Sequence, residues 1–121
     1  MKKILLVDDD ELILELMTAT LGGDQYQVLW AKSGEEALEI VRKEKPSAVL
    51  LDVRLPGING YGVCKALKED PTTRHIKIVM LTGMTQDPDR GPATAAGADC
   101  FLQKPFSPTA LLSELNALLD L

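Results

Sequence analysis

Short apolar runs alternate with longer segments of helical periodicity along this 121-residue chain. The runs are four or five residues long and predict strands at 3–7, 27–30, 48–51, 77–81 and 100–103. Helical periodicity follows the first three runs, at about 11–21, 34–43 and 60–69, and returns for a last helix from 107 onward. This alternation predicts an α/β domain with a parallel sheet and helices on both of its faces.

Local signals predict where two of the helices begin. Ser33 and Glu36 have the spacing of a capping box at the start of the second helix. Ser107 followed by Pro108 predicts a cap and a first helical residue for the last helix.

Two helices are less clearly defined by the pattern. The first helix places Leu12, Leu16 and Ala19 or Thr20 on one face, which we expect to pack on the sheet. The segment at 86–97, between the fourth and fifth strands, contains two prolines and two glycines, which do not suit a long helix. We therefore predict only a short or irregular fourth helix at about 90–96.

Length, charge and cysteine content narrow the class of protein. The length suits a single domain, which we expect to span residues 1–121. A formal net charge of −5 argues against direct binding to nucleic acid or an anionic membrane. No apolar run is long enough to span a membrane, and no secretion signal follows the initial lysines. Cys64 and Cys100 have neither C-x-x-C nor zinc-site spacing, so we expect a cytoplasmic protein.

Chemically useful side chains stand at four of the predicted strand ends. Asp8 and Asp9 follow the first strand, and Asp52 follows the third. Thr82 follows the fourth strand and Lys104 the fifth. Ligands of open parallel sheets bind outside the carboxyl ends of the strands. Together these residues could hold a divalent cation and a phosphoryl group.

The carboxylates crowded at this edge would repel each other unless a cation were bound among them. Two charges about 5 Å apart at an effective dielectric of about 20 repel each other by about 3 kcal/mol. Mg²⁺ prefers oxygen ligands and would remove this repulsion. An Asp52 carboxylate beside such an ion could attack phosphorus in line and form an aspartyl phosphate.

The motifs in order are V-D-D at 7–9, L-L-D-V-R-L-P-G at 50–57, L-T-G at 81–83 and K-P-F at 104–106. Each motif is weak alone, but their joint order on successive strand ends is specific. In this order the chain resembles the receiver domain of two-component response regulators, over essentially its whole length. The resemblance implies a flavodoxin-like, doubly wound sheet of five parallel strands in the order 2-1-3-4-5.

The resemblance also implies an Mg²⁺-dependent phosphorylation site. Asp52 matches the phosphoacceptor of the family. Asp8 and Asp9 match the acidic pair that binds Mg²⁺ together with Asp52, and the backbone carbonyl of Arg54 matches a further ligand. A histidine kinase or a phosphotransfer protein would supply the phosphoryl group.

A switch is implied at the other two strand ends. Thr82 and Lys104 match the groups that contact the phosphoryl oxygens, and Phe101 matches the aromatic switch residue. The readout would lie on the face formed by the fourth helix, the fifth strand and the last helix. That face would control a downstream protein or output domain, and a phosphorylation-dependent dimer is compatible with it. Such a domain catalyses only its own phosphorylation and dephosphorylation.

Two alternative interpretations remain open. A haloacid-dehalogenase-like phosphatase also uses Mg²⁺ and a strand-end aspartate, and Asp8 with Asp10 has its D-x-D spacing. That interpretation would leave Asp52 without a role, and the chain shows neither a cap insertion nor a late acidic motif. The second alternative is a pseudo-receiver that binds partners without phosphorylation, against which the complete set of strand-end residues argues.

Overall fold

The computed structural model describes residues 2–22, 26–55, 57–82, 97–103 and 107–119. Five parallel strands form one sheet in the order β2-β1-β3-β4-β5. Their bounds are β1 (Lys2–Val7), β2 (Tyr26–Ala31), β3 (Ala48–Asp52), β4 (Lys77–Thr82) and β5 (Cys100–Gln103). The predicted sheet and strand order are confirmed, and each strand lies within one residue of its predicted bounds.

Helices cover both faces of this sheet. Their bounds are α1 (Glu11–Leu21), α2 (Gly34–Glu44), α3 (Gly60–Glu69) and the last helix (Pro108–Leu118). The short fourth helix predicted at about 90–96 lies outside the described residues. Within the described part of the chain, no helix has both the length and the apolar character needed to cross a membrane.

The core consists of two apolar layers that sandwich the sheet. Alternate residues of β1 contribute to each layer, because successive side chains of a strand point to opposite faces. Leu5 and Val7 pack with residues of α2 and α3. Ile4 and Leu6 pack with residues of α1 and the last helix. A central strand buried on both faces explains why its sequence is a continuous apolar run.

The predicted caps are present. The Ser33 hydroxyl accepts a hydrogen bond of 3.2 Å from the Glu36 backbone N–H at the start of α2. The Ser107 hydroxyl accepts one of 3.0 Å from the Ala110 N–H, and Pro108 follows in the first turn of the last helix. These bonds satisfy backbone donors that a helix start leaves without intrahelical partners.

The prediction for the buried face of α1 was wrong. Leu12 and Leu16 are 62% and 58% exposed, whereas Leu14, Met17 and Leu21 are buried. Apolar residues lie around more than one side of this helix, so helical periodicity alone allowed two faces. Both faces have spacings of three and four residues, so only packing against the sheet selects the face with Leu14, Met17 and Leu21.

Candidate functional site

Three aspartates meet at the carboxyl edge of the sheet. Asp8 follows β1 and Asp52 ends β3, and these two strands are neighbours whose residues Val7 and Leu51 are paired. One carboxylate oxygen each from Asp8, Asp9 and Asp52 lies within 4.8 Å of the other two. Asp8 and Asp52 are only 1% and 9% exposed, while Asp9 is exposed. The structure therefore combines two buried carboxylates and one exposed carboxylate in a single cluster.

Backbone hydrogen bonds fix the first half of this cluster. The Asp8 N–H donates to the Ala31 carbonyl at 3.1 Å, which extends the pairing of β1 with β2 by one residue. Oδ1 of Asp8 accepts the Asp10 N–H at 2.9 Å. The Asp10 carboxylate in turn caps α1 by accepting the Leu12 N–H at 3.0 Å. The turn from β1 to α1 thus holds Asp8 in place and leaves Asp9 toward solvent.

Asp52, the aspartate that β3 contributes to the cluster, is positioned by the loop that follows β3. We call residues 53–59, between β3 and α3, the acceptor loop. The Arg54 N–H donates to Oδ1 of Asp52 at 3.2 Å. The two ends of the loop are joined by a 3.0 Å hydrogen bond from the Gly60 N–H to the Val53 carbonyl. A Cβ atom at Gly60 would collide with the backbone oxygen of Asp52, so this close approach requires glycine.

The donor set of the cluster fits Mg²⁺. All three groups are carboxylates, the oxygen ligands that a hard divalent cation prefers. Ligands on opposite sides of an octahedral Mg²⁺ ion are about 4.2 Å apart, because each Mg–O bond is about 2.1 Å. Among three such ligands at least two pairs are adjacent, about 3.0 Å apart, so the oxygens, which lie within 4.8 Å of each other, would have to move closer when the ion binds. Waters would complete the coordination.

The structure places the other predicted site residues less completely. Thr82 ends β4, opposite Gln103 of β5, and Leu81 before it pairs with Asp52. Phe101 is half-buried in β5 opposite Met80. Lys104 lies outside the described residues. The roles predicted for Thr82, Lys104, Phe101 and the Arg54 carbonyl therefore remain predictions.

One contact near the site carried no signal in the sequence. Oε1 of Glu35, in the first turn of α2, accepts the backbone N–H of Ile58 in the acceptor loop at 3.0 Å. The two residues are 23 positions apart, and Glu35 looked like an ordinary acidic residue at a helix start. Only the packing of α2 beside α3 brings them together.

Comparisons with known proteins agree with this arrangement. The response regulator receiver domain family matches residues 4–116 of the chain. The response regulator PleD of Caulobacter vibrioides is 40% identical over 116 residues, covering 96% of this chain and 26% of PleD. The chemotaxis response regulator CheY4 of Vibrio cholerae has a TM-score of 0.91 at 33% identity, with 98% of each chain covered. A CheY-like receiver domain protein of Methanospirillum hungatei has a TM-score of 0.92 at 30% identity, covering 99% of this chain and 94% of that one.

The chain spans about a quarter to a half of the length of the curated relatives it matches. The match to the family nevertheless extends from β1 into the last helix. The chain belongs to the response regulator receiver domain family.

Proposed function

We propose that this chain is a phosphorylation-activated signalling switch that accepts a phosphoryl group on Asp52. Its family consists of signalling switches rather than metabolic enzymes. The observation that carries the proposal is the cluster of Asp8, Asp9 and Asp52, of which two are buried at neighbouring strand ends. Buried like charges destabilise a fold, so a site that gathers them is arranged for a cation and its chemistry rather than for stability.

Asp52 suits the role of nucleophile better than Asp8. Asp52 is 9% exposed, whereas Asp8 is only 1% exposed, and each accepts one backbone N–H through its Oδ1 atom. An incoming phosphoryl group can therefore approach Asp52 more readily. In the transfer, an Asp52 oxygen forms a bond to phosphorus as the bond from phosphorus to the donor histidine nitrogen breaks.

The remaining residues would hold and shield the transferred group. Asp8 and Asp9, with Asp52 and the Arg54 carbonyl, would hold Mg²⁺, which when bound offsets negative charge on the phosphoryl oxygens. Thr82 and Lys104 would donate hydrogen bonds to those oxygens. Hydrolysis would use the same site, with water as the nucleophile.

The proposed switch couples the site to β5. Thr82 lies at the carboxyl end of β4, and Phe101 lies in β5 opposite Met80, two residues before Thr82 along β4. A hydrogen bond between Thr82 and the phosphoryl group would favour one arrangement of this strand pair over another. The face predicted from the fourth helix, the fifth strand and the last helix would transmit the change.

The partners follow from this chemistry. A histidine kinase or phosphotransfer protein would supply the phosphoryl group, and a downstream protein or output domain would read the switch. We propose that residues 1–121 form one such domain and that it works in the cytoplasm. Cys64 and Cys100, both among the described residues, are not in disulfides, which suits a reducing compartment.

Intact-protein mass spectrometry tests the proposal. The chain is incubated with acetyl phosphate, with and without Mg²⁺, beside the Asp52→Asn variant. We expect a single adduct of about 80 Da on the wild type that requires Mg²⁺ and is absent from the variant.

Two other results would point to the alternative functions. An adduct or phosphatase turnover that survives in Asp52→Asn but is lost in Asp8→Asn would favour the phosphatase. Absence of any adduct from a folded wild type, with partner binding intact, would favour a pseudo-receiver. Circular dichroism of each variant provides the check on folding.

A further inference from the structure

The acceptor loop is held at its tip by a charged side chain from a different helix. Glu35 of α2 accepts the Ile58 N–H at 3.0 Å, and the carboxylate also lies over Gly57. Gly57 has a φ of +73°, and a Cβ atom there would collide with the Glu35 carboxylate. The Glu35 carboxylate therefore occupies the space at the loop tip that a side chain at Gly57 would need.

Apolar packing supports the same contact from below. A Cβ atom at Gly34 would collide with the side chain and carbonyl of Ile58, and one at Gly62 would lie 2.7 Å from Cγ1 of Ile58. Ile58 is half-buried and packs against the core layer formed with α2 and α3. The first turn of α2 and the acceptor loop therefore fit closely, with the hydrogen bond from Ile58 to Glu35 at the surface.

This loop carries a predicted Mg²⁺ ligand between two fixed points. One fixed point is the hydrogen bond from Gly60 to Val53, and the other is Glu35 on Ile58. Arg54 lies between them, and its N–H already contacts Asp52. Any loosening of the tip would therefore enlarge the range of positions open to the Arg54 carbonyl.

We propose that Glu35 is a positioning residue for the Mg²⁺ site, acting through the acceptor loop on Arg54. The inference rests on the proposed function, because it assigns Glu35 to the same metal site. Residues that orient metal ligands without touching the metal commonly change its affinity by about tenfold or more when removed. Glu35 is such a residue, although it belongs to another helix.

The first turn of α2 supplies a matched control. Glu35 and Glu36 are both exposed and acidic, and both stand where the helix dipole favours negative charge. Of these two glutamates, only Glu35 accepts a hydrogen bond from the acceptor loop among the contacts of the described residues. Comparing Glu35→Ala with Glu36→Ala therefore separates the loop contact from the shared effects of charge and the helix dipole.

Isothermal titration calorimetry with Mg²⁺ on the unphosphorylated protein is the test. We expect Glu35→Ala to raise the Kd for Mg²⁺ about tenfold and Glu36→Ala to change it by less than about twofold. Glu35→Gln keeps an oxygen that can accept the Ile58 N–H, so its Kd should lie closer to the wild-type value. Faster hydrogen exchange of the Ile58 amide in Glu35→Ala, with exchange in β1 and β3 unchanged, would locate the effect in the loop.

Three results would overturn the inference. The first is an unchanged Kd in Glu35→Ala. The second is an equal loss of Mg²⁺ affinity in Glu36→Ala, and the third is an equal loss of Mg²⁺ affinity in Glu35→Gln. Either of these two results would indicate an effect of charge alone. Failure of the wild type itself to bind Mg²⁺ would instead contradict the proposed function. Thermal unfolding of each variant confirms that the titrated protein is folded.

Discussion

The two edges of the sheet differ in how their charged side chains are arranged. At the carboxyl edge, Asp8, Asp9 and Asp52 place like charges within 4.8 Å of each other. At the amino edge, Nζ of Lys68 lies 2.8 Å from Oδ2 of Asp99, an ion pair of opposite charges. One edge therefore gathers like charges, while the other pairs opposite charges.

The amino-edge pair joins three elements. Besides its contact with Asp99, Nζ of Lys68 donates to the carbonyls of Arg74 and Ile76 at 3.1 and 2.7 Å. Oδ2 of Asp99 accepts the Ile78 N–H at 2.8 Å, and the Asp99 N–H donates back to the Ile78 carbonyl at 2.9 Å. The end of α3, the start of β4 and the start of β5 are thereby tied together, with each charge well hydrogen-bonded.

Removing one carboxylate from the carboxyl edge should stabilise the protein when no divalent cation is present. We expect Asp52→Asn to raise the free energy of unfolding by about 1–3 kcal/mol in EDTA, because it relieves repulsion within the cluster. Wild type should gain about 2.7 kcal/mol when Mg²⁺ is a hundredfold above its Kd, and the variant should lose most of that gain. Urea unfolding of both proteins under both conditions measures the four values.

The salt control for this experiment is NaCl at matched ionic strength, which screens charge without filling the site. A lower stability of Asp52→Asn in EDTA would show that attraction to other groups outweighs repulsion within the cluster. The contrast between the two edges would then fail.

The opposite sign is expected at the amino edge. Lys68→Met keeps most of the aliphatic stem but removes the ammonium group, so Asp99 loses its cation and two carbonyls lose their donor. The two side chains are only 17% and 24% exposed. We expect a loss of about 2 kcal/mol in the free energy of unfolding, below the cost for a fully buried pair. Lys65→Met, at an exposed lysine of the same helix, is the control.

A comparable loss in Lys65→Met would assign the effect to helix propensity or net charge rather than to the ion pair. A double-mutant cycle with Asp99→Asn measures the coupling directly. Coupling near zero would mean that the pair contributes no more than separate surface charges do.

Cys64, whose pKa is affected by burial and by Lys68 and Asp99, should make the stability of the protein depend on pH. Burial raises the pKa of this thiol to about 11 from an ordinary value of 9.0, while Lys68 lowers it and Asp99 raises it. The folded protein therefore retains a proton that the unfolded chain loses above pH 9. Stability should be complete below about pH 9 and decline as the pH rises toward 11.

Urea unfolding from pH 8 to 11 tests this expectation, with Cys64→Ala as the reference. In Cys64→Ala the free energy of unfolding should fall less steeply between pH 9 and 11, because the variant lacks the thiol whose proton the folded state retains. Lys68→Met should raise the pKa of Cys64 further, since it removes the neighbouring cation. An identical decline in wild type and Cys64→Ala would show that other groups, such as Tyr26, control the alkaline limb.

The sequence predicted the sheet and the acidic cluster well because both depend on local patterns. Continuous apolar runs identify strands buried on both faces, and parallel strands end at a common edge. The positions of Asp8 and Asp52 follow directly from those two rules. The buried face of α1 did not follow, because Leu12 and Leu14 are equally apolar and only contact with the sheet distinguishes them.

The contact between Glu35 and the acceptor loop could not be predicted for a related reason. Ser33 carries a local capping signal, and the structure confirms that its hydroxyl caps α2. Glu35 has a partner 23 residues away, and its contact depends on how two neighbouring helices pack. Local rules therefore specify the elements and their ends, while contacts between distant residues emerge only from the assembled fold.

The smallest expected effect lies in a more exposed ion pair at the amino edge, whose side chains are 37% and 33% exposed. Nζ of Lys3 lies 2.9 Å from Oε1 of Glu44, joining the start of β1 to the end of α2. This hydrogen bond and the charge of Lys3 hold the pKa of Glu44 below its ordinary value of 4.5. We expect Lys3→Gln to shift the urea midpoint at pH 7 by no more than other surface substitutions do, because solvent screens both groups.

The sign of the pH dependence distinguishes this pair from the one at Lys68. Because the pKa of Glu44 is lowered in the folded state, the contribution of the pair is complete above about pH 4.5 and disappears as the pH falls below it. The small difference between wild type and Lys3→Gln should therefore vanish on the acid side, as measured by urea midpoints from pH 3 to 7. If Lys3→Gln lowers the free energy of unfolding as much as Lys68→Met does, partial burial does not explain a difference between the two ion pairs. The cohesion of the amino edge would then depend on the number of its ion pairs rather than on the partial burial of Lys68 and Asp99.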